Sequence, residues 1–231
     1  MGAWAQSEFG RETLPKRCYL IAGGTPRETV EIICNEFDEV LVRHHDVYER
    51  CLVRTGEAEA ILAFQLYGAP VVADFLNVLK DGGTEEVIFL GLAQGKGKDI
   101  QVGDYVIPTQ TQCCDGIAKT LGSEDLTEPD LVLVDKVSEA MKSANLEFTA
   151  GLTVSVPATF WHGDESKHAS DVIALECEFA TFCHCSKELG LSAAGLFVIS
   201  DTEERDLLDD SRLSPHPRMV QGLQAIKDKL T

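Results

Sequence analysis

The chain has 231 residues, 44% hydrophobic and 25% charged, the proportions of a globular protein long enough to bury one continuous core. Its 38 acidic and 20 basic residues leave a net charge of −18, which argues against a nucleic-acid or anionic-membrane surface. That balance still allows a local pocket of arginine and backbone N–H groups to hold a small anion.

Met1 to Lys16 is polar, lacks the apolar core of a leader, and reads as a flexible arm ahead of a single domain over 17–231. Arg17 to Gly23 is a buried first strand, with Gly23-Gly24-Thr25-Pro26 as the turn after it. Thr25 is the expected N-cap and Pro26 the first residue of a helix running towards Phe37. Strand-like runs follow at Glu39 to Arg43, Cys51 to Thr55 and Ala60 to Leu66. Pro70 to Leu79 carries apolar residues at helical spacing. Glu86 to Gly91 is a buried strand entering the glycine-rich run to Gly97, and Tyr105 to Pro108 is a short strand. A helix over Leu131 to Ala144, a strand over Phe148 to Val156 and a short strand over Val172 to Leu175 come next. A helix over Phe179 to Leu189 is closed by Gly190, a strand covers Ala193 to Ser200, and Pro217 to Leu230 is a last helix.

Continuously apolar strands alternating with helices imply an α/β domain with helices on both faces of its sheet. The 8 cysteines are scattered, some in apolar runs as Cys18 and Cys34 are, where they act as small hydrophobes. Cys183-His184-Cys185 falls on a predicted helix, where residues two apart face different ways and chelate poorly. No metal is therefore expected. No apolar stretch approaches the ~20 residues of a membrane-spanning helix, and a reduced cytoplasmic setting fits the cysteine usage.

Four segments in order, Gly23-Gly-Thr-Pro-Arg27, Gly91-Leu-Ala-Gln-Gly95 with Val102-Gly-Asp-Tyr-Val-Ile107, Leu175-Glu-Cys-Glu178 and Val198-Ile-Ser-Asp201, spread across most of the chain. Together they resemble the nucleoside phosphorylase family of purine nucleoside phosphorylases, uridine phosphorylases and methylthioadenosine nucleosidases. The resemblance implies a three-layer fold, a central mixed twisted sheet flanked by helices. It also implies cleavage of a nucleoside's N-glycosidic bond within a homo-oligomer of two or more copies. No metal or organic cofactor is then needed, inorganic phosphate being the co-substrate.

By this resemblance Gly23 and Arg27 belong to a phosphate loop, where helix-end N–H groups and a guanidinium would hold the anion. The bland alternative is a strand-to-helix turn with a surface arginine. The family adds a second arginine from the following strands, for which Arg50 is the choice and Arg43 the alternative. Ala93 and Gln94 would line ribose and base, and Phe160 of Thr159-Phe-Trp161 would stack on the base, although a Phe-Trp pair is also ordinary core. Glu176, Cys177 and Glu178 match the family's Glu-Met-Glu. Glu178 would accept hydrogen bonds from the ribose hydroxyls, while Glu176 also reads as a glutamate suited to a helix's first turn. Asp201 would protonate the departing purine at N7, although Asp201-Thr-Glu-Glu204 also spells a capping box.

Two positions depart from the pattern. Family phosphorylases carry an arginine before the glycine and a serine or threonine after it, where this chain has Phe89 and Leu92. The expected reaction is phosphorolysis of a purine nucleoside. Hydrolysis by a nucleosidase, and nucleoside binding without catalysis, stay open as alternatives.

Overall fold

The computed structural model describes residues 2–23, 25–45, 48–158, 164–203 and 216–230. In chain order the elements are α1 (Ala3–Phe9), β1 (Arg17–Ala22), α2 (Arg27–Cys34), β2 (Glu39–His45), β3 (Glu49–Thr55) and β4 (Ala58–Leu66). Then come α3 (Ala69–Gly82), β5 (Glu86–Gly95), β6 (Tyr105–Cys113), α4 (Ile117–Thr120), β7 (Leu126–Thr127) and α5 (Leu131–Ser143). The chain continues with β8 (Phe148–Ser155), β9 (Val172–Glu176), α6 (Phe179–Leu189), β10 (Ser192–Thr202) and α7 (His216–Leu230).

The strands form one 10-stranded mixed sheet. β1 pairs in parallel with β4 and β5, and β4, β3 and β2 continue that side antiparallel. Strand β5 also pairs in parallel with β10. From β10 the ladder passes to β6, β8 and β9, and β9 returns antiparallel onto Gln94 and Gly95 of β5. The strands β5, β10, β6, β8 and β9 thus close a ring, with β4, β3 and β2 attached through β1 and the short β7 paired to β6.

Strand side chains alternate between faces, and both faces here are apolar. Tyr19, Ile21, Ile88 and Leu90 join one core cluster with residues of α2, α5 and α7. Cys18, Leu20, Val87 and Phe89 join the other with residues of α1, α3 and α6. This produces the predicted three layers.

The first residues differ from the flexible arm expected over 1–16. Ala5 and Phe9 of α1 are buried, and the Phe9 ring lies 6.4 Å from that of Phe75 in α3. The N–H groups of Gly2 and Trp4 donate to the Asp81 carboxylate at 2.8 and 2.9 Å, satisfying donors that a helix start leaves open. Apolar residues at 5, 9 and 14, too sparse to register as a periodic face, are enough to dock a short helix.

Two local expectations also change. Helix α2 begins at Arg27 with no side-chain cap from Thr25 and stops at Cys34 rather than reaching Phe37. The glycine-rich run is strand as far as Gly95, and Gly91 and Gly95 serve close approach. A Cβ on Gly91 would come within 2.9 Å of the Phe89 and Phe197 rings, and one on Gly95 within 2.6 Å of Ile100. No described helix is long and apolar enough to cross a membrane.

Candidate active site

The carboxy ends of β1, β5 and β10, with the β9–α6 junction, surround one cavity, the usual ligand position in sheets with parallel strands. Gly23, Ala93, Gln94, Glu176, Cys177, Glu178 and Asp201 all line it, together with Phe89, Leu92, Ser200 and the half-exposed Tyr67.

Asp201 reaches the cavity through a β-bulge. The β10–β5 register runs regularly to Ile199↔Ala93 and resumes at Asp201↔Gln94, so Ser200 is the inserted residue. Such an extra residue re-aims the side chains around it. The Ser200 hydroxyl donates to Asp201 Oδ1 at 2.6 Å and Gln94 Nε2 donates to Asp201 Oδ2 at 3.0 Å. Both oxygens of Asp201 therefore accept. Gln94 Oε1 is buried and has no hydrogen-bond partner among the described residues. Asp201 lies within strand β10, not at a helix start.

Glu176 ends β9 opposite Ser155, its register partner at the end of β8. One of its oxygens accepts from the N–H groups of Glu178 and Phe179, each at 2.6 Å, and the other accepts from the Ser155 hydroxyl. The Ser155 oxygen in turn accepts from the Ala180 N–H at 2.7 Å. Helix α6 lacks a side-chain cap at its own N-cap residue, Glu178, so two strand ends do the capping. Burial, and then the neighbouring Glu178 carboxylate, push Glu176 up to about 8 against the opposing pull of its donors. Its hydrogen bonds tie this carboxylate to the protein.

Glu178 is 5% exposed and accepts from the Gly68 N–H, ahead of α3, at 2.9 Å. Burial is the main force raising it to about 6, and Asp115 adds to the shift. Asp115 is itself raised by burial while it accepts from the Thr181 hydroxyl at 2.7 Å. Carboxylates thus crowd the start of α6, where helix-end N–H groups favour negative charge.

The arginines expected at a phosphate are elsewhere. Arg27, the first residue of α2, is exposed and does not line the cavity. Arg50 is 4% exposed and faces α1. Its guanidinium bonds the Glu8 carbonyl at 2.7 Å and the Glu8 carboxylate at 3.1 Å, and lies against the Phe9 and Tyr48 rings. Arg43 forks onto Glu31 and also reaches Glu49. No arginine or lysine among the described residues lines the cavity.

Phe89 is fully buried, its ring centroid 5.7, 5.1 and 5.6 Å from those of Phe179, Phe182 and Phe197. Aromatic packing thus occupies the position where the family pattern has a cation. Phe160, the predicted base platform, lies outside the described residues. Sequence reasoning did not find Ser155, Gly68 or Tyr67. Gly68 followed by Ala-Pro marks a helix start, but no local signal pairs it with a glutamate 110 positions away.

Fold and site together define an α/β protein with a cavity at its strand ends lined by three carboxyl side chains. A family model described as the Phosphorylase superfamily matches residues 19–221, and the chain belongs to that superfamily. Several solved structures share the fold. The 5′-methylthioadenosine/S-adenosylhomocysteine nucleosidase of Neisseria meningitidis, in complex with methylthio-immucillin-A, is 21% identical with a TM-score of 0.75, covering 92% of this chain and 98% of its own. The purine nucleoside phosphorylase of Toxoplasma gondii, in complex with immucillin-H, is 14% identical with a TM-score of 0.80, covering 95% and 92%. The MTA/SAH nucleosidase of Streptococcus pneumoniae, in complex with 8-aminoadenine, is 19% identical with a TM-score of 0.74, covering 92% and 99%. No curated protein matches the chain at a significant level.

Proposed function

We propose that this chain cleaves the N-glycosidic bond of a purine nucleoside, with water rather than phosphate as the nucleophile. The observation that carries the proposal is the cavity wall: it holds Glu176, Glu178 and Asp201 and, among the described residues, no lysine or arginine. A phosphate brought into this setting would lose its hydration and meet the Glu178 carboxylate, with no cation among the described residues to compensate. A developing sugar cation would be stabilised there.

In this reading the Glu178 carboxylate accepts hydrogen bonds from the ribose hydroxyls and holds the sugar in register. Asp201 relays a proton from solvent to N7 as the C1′–N9 bond breaks and the bonding electrons pass to the base. Water then adds to C1′ and loses a proton to solvent, leaving free ribose and free base. Glu176 holds the Cys177–Glu178 segment in place through its bonds to the start of α6. The chemistry calls for no metal or organic cofactor, and we place the reaction in a homo-oligomer, which light scattering tests.

One observation favours the phosphorolysis expected from the sequence: Gly23, from the loop at the end of β1, does line the cavity. A nucleoside panel incubated with and without phosphate separates the readings. Base released equally under both conditions supports hydrolysis, and base released only with phosphate overturns it in favour of phosphorolysis. Saturable nucleoside binding without base release overturns both and leaves a binding protein.

A further inference from the structure

Gln94 and Asp201 are register partners on neighbouring parallel strands, and their side chains meet at 3.0 Å on the cavity wall. Backbone pairing pins Gln94 on both sides, to Asp201 of β10 and to Leu175 of β9. Which end of the amide faces Asp201 follows from chemistry. Asp201 already takes the Ser200 hydroxyl on its other oxygen, and the proton it delivers in the reaction is directed at N7, so Oδ2 meets Gln94 as an acceptor. The amide NH2 must point at it. The amide oxygen is left over, buried and without a partner among the described residues. A buried acceptor without a partner calls for a donor.

From this geometry we propose that Gln94 is a specificity residue, selecting 6-aminopurine over 6-oxopurine bases. The inference rests on the purine nucleoside reading above. All common purines offer an acceptor at N7, the atom assigned to the Asp201 proton. They differ at the next position on the same edge, where adenine presents an N–H donor and guanine or hypoxanthine an oxygen acceptor. Beside an N7 held by Asp201, the Gln94 oxygen complements the amino group and opposes a 6-oxo group. Serving a 6-oxo base would require the amide to rotate. Rotation would break the Nε2–Asp201 bond and set oxygen against carboxylate.

The test compares kcat/KM for adenosine and inosine, and Kd for free adenine, hypoxanthine and unsubstituted purine by calorimetry, in wild type and Gln94→Leu. The expected wild-type preference for the 6-amino compound is about 5- to 150-fold, shrinking to within about 3-fold in the variant. A wild-type ratio near one overturns the proposal, as does a ratio that Gln94→Leu leaves unchanged. Free-base binding decides the matter even if no nucleoside is turned over, so failure of hydrolysis and failure of base selection are distinct results. Absence of binding by any purine overturns both. Should Gln94→Leu not fold, the wild type alone suffices: adenine must bind more tightly than unsubstituted purine, and equal affinity overturns the proposal.

Discussion

The strand-end residues of the site and the arginines singled out in the sequence meet opposite fates in the fold. Gln94, Ser155, Glu176 and Asp201 converge because they are ladder neighbours. Asp201 pairs with Gln94, Gln94 with Leu175, and Ser155 with Glu176. Strand register delivers them to one place. Arg27, Arg43 and Arg50 lie on α2, β2 and β3, outside that ring, and Arg43 and Arg50 are held by glutamates. In a chain with a net charge of −18, an arginine without a dedicated anion readily finds a carboxylate. A site whose members are cross-strand neighbours is therefore more secure than one inferred from residues of the right type in nearby segments.

The contrast can be broken most severely at Asp201. Asp201→Asn keeps the size and loses the proton, so kcat should fall by about 10²–10⁴-fold with KM little changed; steady-state kinetics on a purine nucleoside showing full turnover would remove the acid from the account. The next largest effect is expected with pH. Protonating Glu178 removes acceptor capacity for the ribose hydroxyls and the charge facing the sugar, and burial raises it to about 6, so kcat/KM should decline as pH falls through that value. A pH–rate profile flat to pH 5 would detach Glu178 from ribose binding.

Glu176 sharpens the comparison, because it was expected at the substrate and the structure ties it to the α6 cap. Glu176→Ala should cost roughly 1–3 kcal/mol of stability in urea denaturation, by leaving buried N–H groups unpaired. Loss of activity at unchanged stability would return Glu176 to the sugar. The smallest effect is expected at Arg50. Arg50→Ala should loosen the docking of α1 for about 1–2 kcal/mol and leave the response to phosphate unaltered. A phosphate-dependent activity that this variant abolishes would restore the arginine set to the site.

What could be read from the sequence follows the same division. Apolar runs such as Glu86 to Leu90 and the Gly190 stop after α6 are local signals, and the layers and the α6 end came out as expected. The convergence of Gln94, Glu178 and Asp201 on one cavity was legible because family-like motifs mark them, although Asp201 also reads locally as part of a capping box. The capping role of Glu176 was half visible: its place at the helix start was legible, its Ser155 partner across the sheet was not. The docking of α1 and the bond between Gly68 and Glu178 depend on contacts far apart in sequence, which no periodicity encodes. The fate of the arginines was hidden for the same reason.

The account turns on a cavity that works on a nucleoside with no anion-binding cation among its described residues. It is tested most directly by following release of free base and sugar from a purine nucleoside in phosphate-free buffer and again with millimolar phosphate. The account predicts the same rate in both, with free ribose as the sugar product. Base release that starts only when phosphate is added, with a sugar phosphate as product, would contradict it.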